Sequence, residues 1–314
     1  MNHKAITAVS KYRIALWGIL ITTVVLSQVS APMASPAKTA TVEAVYPGLA
    51  TGVLKSARLV SLDKGVLLEA GTVLIDESLL KKTIDDADPK LREQLHKNLF
   101  FILEKQATQK ILFRQAADAG YVVKGHANQI VMMYLNDKAS GVTVSDAEAK
   151  HFYDNNKEMI GSISFEQAKN SVENYLLQQK KHAAIEKYIQ ELGQHIEIRI
   201  DSQWVKNQNA LAKDNPVDIV RSSGKPTMVE FGATGCIPCD MMQPILANLR
   251  KKYQNNLNVL FVHVREEQIL AARYGIRSIP VQVFFDKAGR EVFRHEGFYP
   301  EAEITKNLVT MGVK

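Results

Sequence analysis

The sequence predicts a two-part chain, a mostly α-helical region followed by a C-terminal α/β domain, and three observations carry that reading. Apolar runs of strand length alternate with helical patterns from Thr227 to Met311, the order expected of a sheet flanked by helices. From Glu77 to Gly193 the chain instead shows long stretches of helical periodicity opened by capping boxes. The only two cysteines of the 314 residues, Cys236 and Cys239, stand one helical turn apart where an apolar strand gives way to a helix.

At the N-terminus, Lys4, Lys11 and Arg13 precede an apolar run from Ile14 to Leu26, and no acidic residue appears before Glu43. Residues 1–37 therefore read as a secretory signal or an N-terminal anchor, although the run is shorter than the roughly 20 residues of a spanning helix. Ser35-Pro36-Ala37 offers small residues for cleavage, and no cysteine near the end of the run invites lipid attachment. Removing residues 1–37 takes three positive charges from a net +6 and leaves +3, an ordinary balance that argues against nucleic-acid binding.

Residues 41–200 form the helical part. A short strand pair is expected around Lys64-Gly65. The stretch from Pro89 to Ala119 places Leu91, Leu95, Leu99, Ile102, Leu103, Leu112, Phe113 and Ala116 largely on one stripe, with Gly120 placed to close the helix. Ser145-Asp146-Ala147-Glu148 is a capping box for the helix carrying His151-Phe152-Tyr153. Ser164-Phe165-Glu166-Gln167 opens another helix to about Leu192, with Gly193 as its stop. His195 to Asp201 alternates like a strand, and residues 201–216 read as a polar linker. Met132, Met133 and Tyr134 suit either an adaptable apolar groove or ordinary core.

Residues 217–314 form the α/β domain. Strand Thr227–Phe231 leads through the cysteine turn into a helix from Cys239 to Tyr253, then a strand Asn258–Val264, a helix Glu266–Tyr274, strands Val281–Asp286 and Glu291–Glu296, and a helix Glu301–Met311. Asp286-Lys287-Ala288-Gly289-Arg290 is expected as the hairpin loop between the last two strands.

The cysteine pair admits a redox dithiol, a structural disulfide or a metal site. A structural disulfide more commonly links distant segments, and a zinc site needs two further ligands that no second C-x-x-C or H-x-x-x-H supplies. The eight histidines are scattered without metal-ligand spacing, and His263, inside a strand, reads as a core or edge residue. Backbone N–H groups at a helix N-terminus stabilise a thiolate, which places the attacking sulfur at Cys236 and the resolving one, a turn further in, at Cys239. Pro238 is tolerated in a first turn. Glu230, in an apolar strand six residues before Cys236, would have its pKa raised by desolvation, unless it is a solvated strand-end carboxylate.

From about Pro216 onward the chain resembles the thioredoxin family. The likeness rests on Phe231-Gly232-Ala233-Thr234-Gly235-Cys236-Ile237-Pro238-Cys239, Pro244, Tyr274-Gly275-Ile276-Arg277-Ser278-Ile279-Pro280 and Gly297. The resemblance implies the thioredoxin fold, a cis peptide at Pro280 beside the dithiol, a backbone at Ile279 that pairs with a substrate strand, and a Glu230 that exchanges protons with Cys239. The chain departs from the pattern at Gly235, where a tryptophan is common, and at Gly232, where many relatives carry another aromatic. A less aromatic and more open rim is expected. Ile237-Pro238 lacks a histidine to hold the thiolate, and Asp240 adds a negative charge, so the couple is expected to be reducing and the activity that of a reductase.

The helical part resembles the peptide-binding part of SurA-like periplasmic chaperones, through Ile102-Leu103-Glu104-Lys105-Gln106-Ala107 to Gly120-Tyr121, Val144 to Asp154, and Ser164-Phe165-Glu166-Gln167-Ala168-Lys169 to Tyr188-Ile189. In relatives with prolyl isomerase activity a parvulin domain precedes the last of these segments; here only Asn155 to Ser164 stand there, so that activity is not expected. Together these readings predict an exported thiol–disulfide oxidoreductase without cofactor or metal, located in the periplasm or on the outer side of the inner membrane. It would act on cysteine-containing envelope proteins and draw electrons from a membrane thiol transporter. A chaperone or assembly factor using the α/β domain as a binding module, or a disulfide oxidase or isomerase, are the alternatives.

Overall fold

The computed structural model describes residues 40–121 and 127–314. The expectations for residues 1–37 lie outside these. Among the described residues no helix is long and apolar enough to cross a membrane.

After a short helix, α1 (Val42–Val45), come three strands, β1 (Arg58–Val60), β2 (Val66–Ala70) and β3 (Val73–Asp76). They do not form the strand pair expected around Lys64-Gly65. That dipeptide joins β1 to β2, which are not neighbours; the hairpin is β2–β3, turned at Gly71 with φ 58°. A fourth strand, β4 (Arg199–Asp201), lies between β1 and β2 in the order β1-β4-β2-β3. Its Ile200 is fully buried and pairs with Leu59 on one side and Leu68 on the other, so a distant apolar strand displaces the local pairing.

The helices between β3 and β4 are α2 (Glu77–Asp85), α3 (Pro89–Lys97), α4 (Leu99–Asp118), α5 (Ala127–Lys138), α6 (Asp146–Asn155), α7 (Lys157–Ile160) and α8 (Phe165–His195). The single stripe read from Pro89 to Ala119 is two helices, broken at Asn98, whose side-chain amide donates to the Gln94 carbonyl at 2.8 Å and competes with the backbone ladder. Gly120 does close α4: its φ is 85° and the Tyr121 N–H donates to the Ala116 carbonyl at 2.9 Å. Both capping boxes form. Gly193, expected to stop α8, lies inside it and is buried; a Cβ there would stand 2.2 Å from the Val53 carbonyl oxygen, so glycine is needed for close approach rather than termination. Buried Glu104 on α4 accepts from the N–H groups of Thr51, Gly52 and Leu54 at 2.8–3.2 Å, which pins the loop beneath α8. Met132 and Met133 are exposed while Tyr134 is buried against Tyr121 and Tyr188, so the three do not share one face.

Most of the expected linker is helix. Asp201 caps α9 (Ser202–Ala212) by accepting from the Trp204 N–H at 2.7 Å, and Val205 is fully buried while Trp204 stacks on Phe100. Only Lys213–Asn215 separate it from α10 (Pro216–Arg221). Gln203, Lys206 and Asn207, among the polar residues that suggest a linker, lie exposed on α9, while Val205, Gln208 and Ala212 are buried.

The C-terminal domain follows the expected order: β5 (Thr227–Gly232), α11 (Ile237–Lys252), β6 (Asn258–His263), α12 (Gln268–Arg273), β7 (Val281–Phe285), β8 (Glu291–Glu296) and α13 (Glu301–Thr310). The sheet order is β6-β5-β7-β8, with β5 and β6 parallel and the other pairs antiparallel. Every residue of β5 and β7 is buried, as central strands require, including the polar Thr227, Glu230 and Gln282. Met228 and Phe284 face α11 and α13 in one core layer, while Val229, Phe231, Val283 and Phe285 form the other with α12. Buried Asp218 on α10 holds Arg273 of α12 at 3.0 Å and Arg221 at 2.6 Å.

The described residues, 40–121 and 127–314, belong to one compact unit. Gln94 of α3 bonds both the Glu266 carbonyl (2.6 Å) and the Ile269 N–H (3.1 Å) at the start of α12.

Candidate active site

Strand β5 delivers the chain to the cysteine turn at the sheet's end. Gly235, with φ 76°, makes the reversal that lets Cys236 become the N-cap of α11, and the Asp240 N–H donates to the Cys236 carbonyl at 2.9 Å. Cys236 and Cys239 are disulfide-bonded, with Cα atoms 5.2 Å apart. Cys236 is half-buried at the rim, whereas Cys239 is only 1% exposed. A thiol reagent or client therefore meets Cys236 first. Ile237, between them, is 76% exposed and Asp240 faces solvent.

The Ile279–Pro280 peptide is cis. It places the Ile279 carbonyl oxygen 3.9 Å from Cys236 Sγ, so the backbone before the proline borders the exposed sulfur. The loop is held by the Gly297 N–H donating to the Pro280 carbonyl at 2.8 Å.

Glu230 is fully buried in β5, opposite Phe261 of β6 and Gln282 of β7. Burial pushes its carboxyl up to about 8, and a hydrogen bond from Gln282 Nε2 to Oε2 at 2.9 Å opposes that rise; Oε1 has no partner. It is not a solvated strand-end carboxylate. The structure thus brings Cys236, Cys239, Ile279 and Pro280 together and sets Glu230 in the strand leading to them.

At Gly232 the expected opening is filled. A Cβ there would meet Phe261 Cε2 at 2.9 Å and Cys239 Cβ at 3.5 Å, so an aromatic ring from the neighbouring strand takes the space beside the buried sulfur. At Gly235 nothing lies within 4 Å of such a Cβ, and there the rim is open.

Two residues of the site escaped the sequence reading. His263, paired with Gly232, accepts from the Thr234 N–H at Nε2 (3.3 Å) and so braces the cysteine turn. Gln282 contacts Glu230 directly; its one signal was a polar residue inside an apolar strand. Helix α8 also reaches this end of the domain. Gln179 donates to Glu296 at 3.0 Å, Glu296 accepts from Ser278 at 3.0 Å, and Arg277 contacts His182 and Glu186. Between α6, α8 and β8 lies a cleft of about 830 Å³ lined in part by Phe152, Leu176, Ala183 and His295. A smaller cleft of about 310 Å³ beside Gln194–Ile198 contains no residue of the C-terminal domain.

The family model described as Thioredoxin matches residues 207–310. A thioredoxin-like protein of Synechocystis sp. is 34% identical over 94 residues, covering 30% of this chain and 89% of that protein. The thioredoxin of Pyropia yezoensis is 33% identical over 89 residues, 28% of this chain and 82% of its own. Among solved structures, the germline-specific thioredoxin Deadhead of Drosophila melanogaster aligns at 29% identity over 29% of this chain and 86% of that one, with a TM-score of 0.27.

Proposed function

Because the chain belongs, through its C-terminal domain, to the thioredoxin family and carries its thiol–disulfide oxidoreductase chemistry, we propose that it is an exported reductase of envelope-protein disulfides. The observation that carries the redox reading is the asymmetry of the pair: one accessible sulfur beside the Ile279 carbonyl that precedes the cis proline, one buried sulfur behind it.

In the proposed cycle the Cys236 thiolate attacks a client disulfide, forming a mixed disulfide and releasing the first client sulfur as a thiolate. Glu230, as carboxylate, takes the proton of Cys239. The new thiolate attacks Cys236 Sγ, the internal disulfide forms, and the second client sulfur leaves and is protonated. Two electrons pass from the dithiol to the client, and an external dithiol, here assigned to a membrane thiol transporter, resets the pair. The backbone at Ile279 would align the client strand.

Export rests on the basic and apolar pattern of residues 4–26, and the reducing direction on the absence of a histidine between the cysteines. The helical region, which resembles the peptide-binding part of SurA-like chaperones, is assigned to client or partner binding. What supports this is α8 lying against Arg277 and Glu296, close in sequence and by hydrogen bond to Ser278 and the bond that would align a client.

The test is trapping. Cys239→Ala, expressed with its leader, should accumulate mixed disulfides with envelope proteins, and Cys236→Ala should not. Thiol labelling of the wild type in the cell should find the pair mainly reduced. A pair that is mainly oxidised overturns the reductase reading in favour of an oxidase, and trapping by Cys236→Ala reverses the two roles.

A further inference from the structure

Gln282 has no apolar reason to be where it is. It is fully buried in the central strand β7, between Val281 and Val283, which are buried as well. A polar group in such a position is costly unless its hydrogen-bonding capacity is used. Its amide nitrogen is used twice: Nε2 donates to Glu230 Oε2 at 2.9 Å and to the Gly297 carbonyl at 3.2 Å.

The second bond fixes the meaning of the first. A backbone carbonyl only accepts, so Gly297 requires the NH2 end of the amide to face it. Turning the amide over would set two oxygens against each other at Gly297 and lose that bond. Gly297 is itself tied by its N–H to the Pro280 carbonyl at 2.8 Å. Gln282 is therefore a donor toward Glu230 whichever protonation state the carboxyl adopts. Oε2 is occupied as an acceptor, while Glu230 Oε1 and the amide oxygen of Gln282 are both left without a partner.

We propose that Gln282 is a positioning residue for the dithiol reaction: it holds Glu230 Oε2 as a fixed acceptor and reserves Oε1 for the proton exchanged with Cys239. The inference rests on the reading of Glu230 as the proton acceptor during resolution. No proton balance changes: Cys239 loses a proton to Oε1 as its sulfur attacks Cys236, and Oε1 later returns it to solvent.

Few other groups can disturb this arrangement. Across β6 the residue opposite Glu230 is Phe261, which carries no charge and whose ring borders Gly232 on the side where Cys239 of α11 also lies. From β8 the residue paired with Gln282 is His295. Its ring stacks on Tyr299 at 4.2 Å, its Nε2 lies 3.1 Å from the Phe298 carbonyl, and burial favours its neutral form.

The test compares the whole wild-type chain with Gln282→Met, which keeps the length and apolar fit of the side chain and removes the donor. Glutamates labelled with 13C at the carboxyl carbon report the titration of Glu230 in the oxidised protein. A hydrogen bond to a charged group is strong enough that its loss should move the midpoint from about 8 upward by about 1 to 2 pH units. Resolution of a preformed mixed disulfide at pH 7 should slow by at least about tenfold, because the carboxylate fraction falls by that factor. In a Glu230→Gln background the same substitution should change nothing further.

An unmoved midpoint in folded Gln282→Met overturns the proposal. If that variant does not fold, the wild type decides: the side-chain amide resonances of Gln282 should titrate with the midpoint of Glu230, and flat resonances overturn it equally. Failure of the underlying reading looks different, since a chain in which Glu230→Gln resolves mixed disulfides at the wild-type rate has no proton acceptor to position.

Discussion

Replacing Glu230 by glutamine isolates the consequence of burying a carboxyl without a charged partner. Folding raises its pKa from 4.5 to about 8, so the folded protein favours the neutral acid and the unfolded chain the carboxylate. The folded state then binds more protons than the unfolded one between these values. The contribution is fully present below about pH 4.5 and is lost as pH rises through about 8. A rise of that size corresponds to about 5 kcal/mol of stability lost between pH 4 and pH 9, as an order of magnitude. Glutamine cannot ionise and keeps the side-chain volume, so the variant should lack this component and gain relative to wild type as the solution is made alkaline. The assay is urea unfolding of the oxidised whole chain at pH 5, 7 and 9, with the difference between variant and wild type plotted against pH. A difference that stays constant across the range would refute the claim that Glu230 is neutral in the folded protein below pH 8. The same variant should resolve mixed disulfides more slowly at neutral pH, because the carboxylate proposed to take the Cys239 proton is gone.

Asp218→Asn should cost about 3 to 5 kcal/mol in chemical denaturation, because it leaves Arg273, itself 6% exposed, without its charge partner; a loss below about 1 kcal/mol contradicts a buried pair. Gly193→Ala should destabilise the helical region by about 1 to 3 kcal/mol or more, since the added carbon meets backbone at 2.2 Å, and an unchanged melting temperature would deny that approach. A truncation to residues 212–314 keeps the Ala212 carbonyl that accepts from Arg273 at 2.7 Å and all groups of the dithiol site. It should reduce insulin at a rate close to that of the whole chain but capture unfolded envelope proteins less well through Cys239→Ala, and equal capture would leave the helical region a spacing or docking element.

Strand and helix order in the C-terminal domain was legible because β5 and β7 are buried on both faces, and such strands read as predominantly apolar runs, interrupted here only by Thr227, Glu230 and Gln282. The helical region was legible in kind but not in detail. Asn98 divides a periodic stripe because its side chain competes locally for a carbonyl, which the spacing of leucines does not reveal. Residues 202–212 looked like a linker because the apolar contacts of Trp204 and Val205 lie on α4, distant in sequence.

The chemistry of the pair was determined by the sequence alone: two cysteines one turn apart after an apolar strand can form a disulfide in the first turn of a helix whatever surrounds them. Their unequal burial follows from helix geometry, since the N-cap faces the rim and the third helical residue faces the core. What only the tertiary structure decided is the company they keep. Sheet order brings β7 against β5, and that adjacency, fixed by long-range pairing and not by local propensity, sets Gln282 on Glu230. Phe261 fills the space left by Gly232 because parallel β6 runs beside it. Helix α8 meets Arg277 and Glu296 because packing of two distant segments, not any motif in either, places it there.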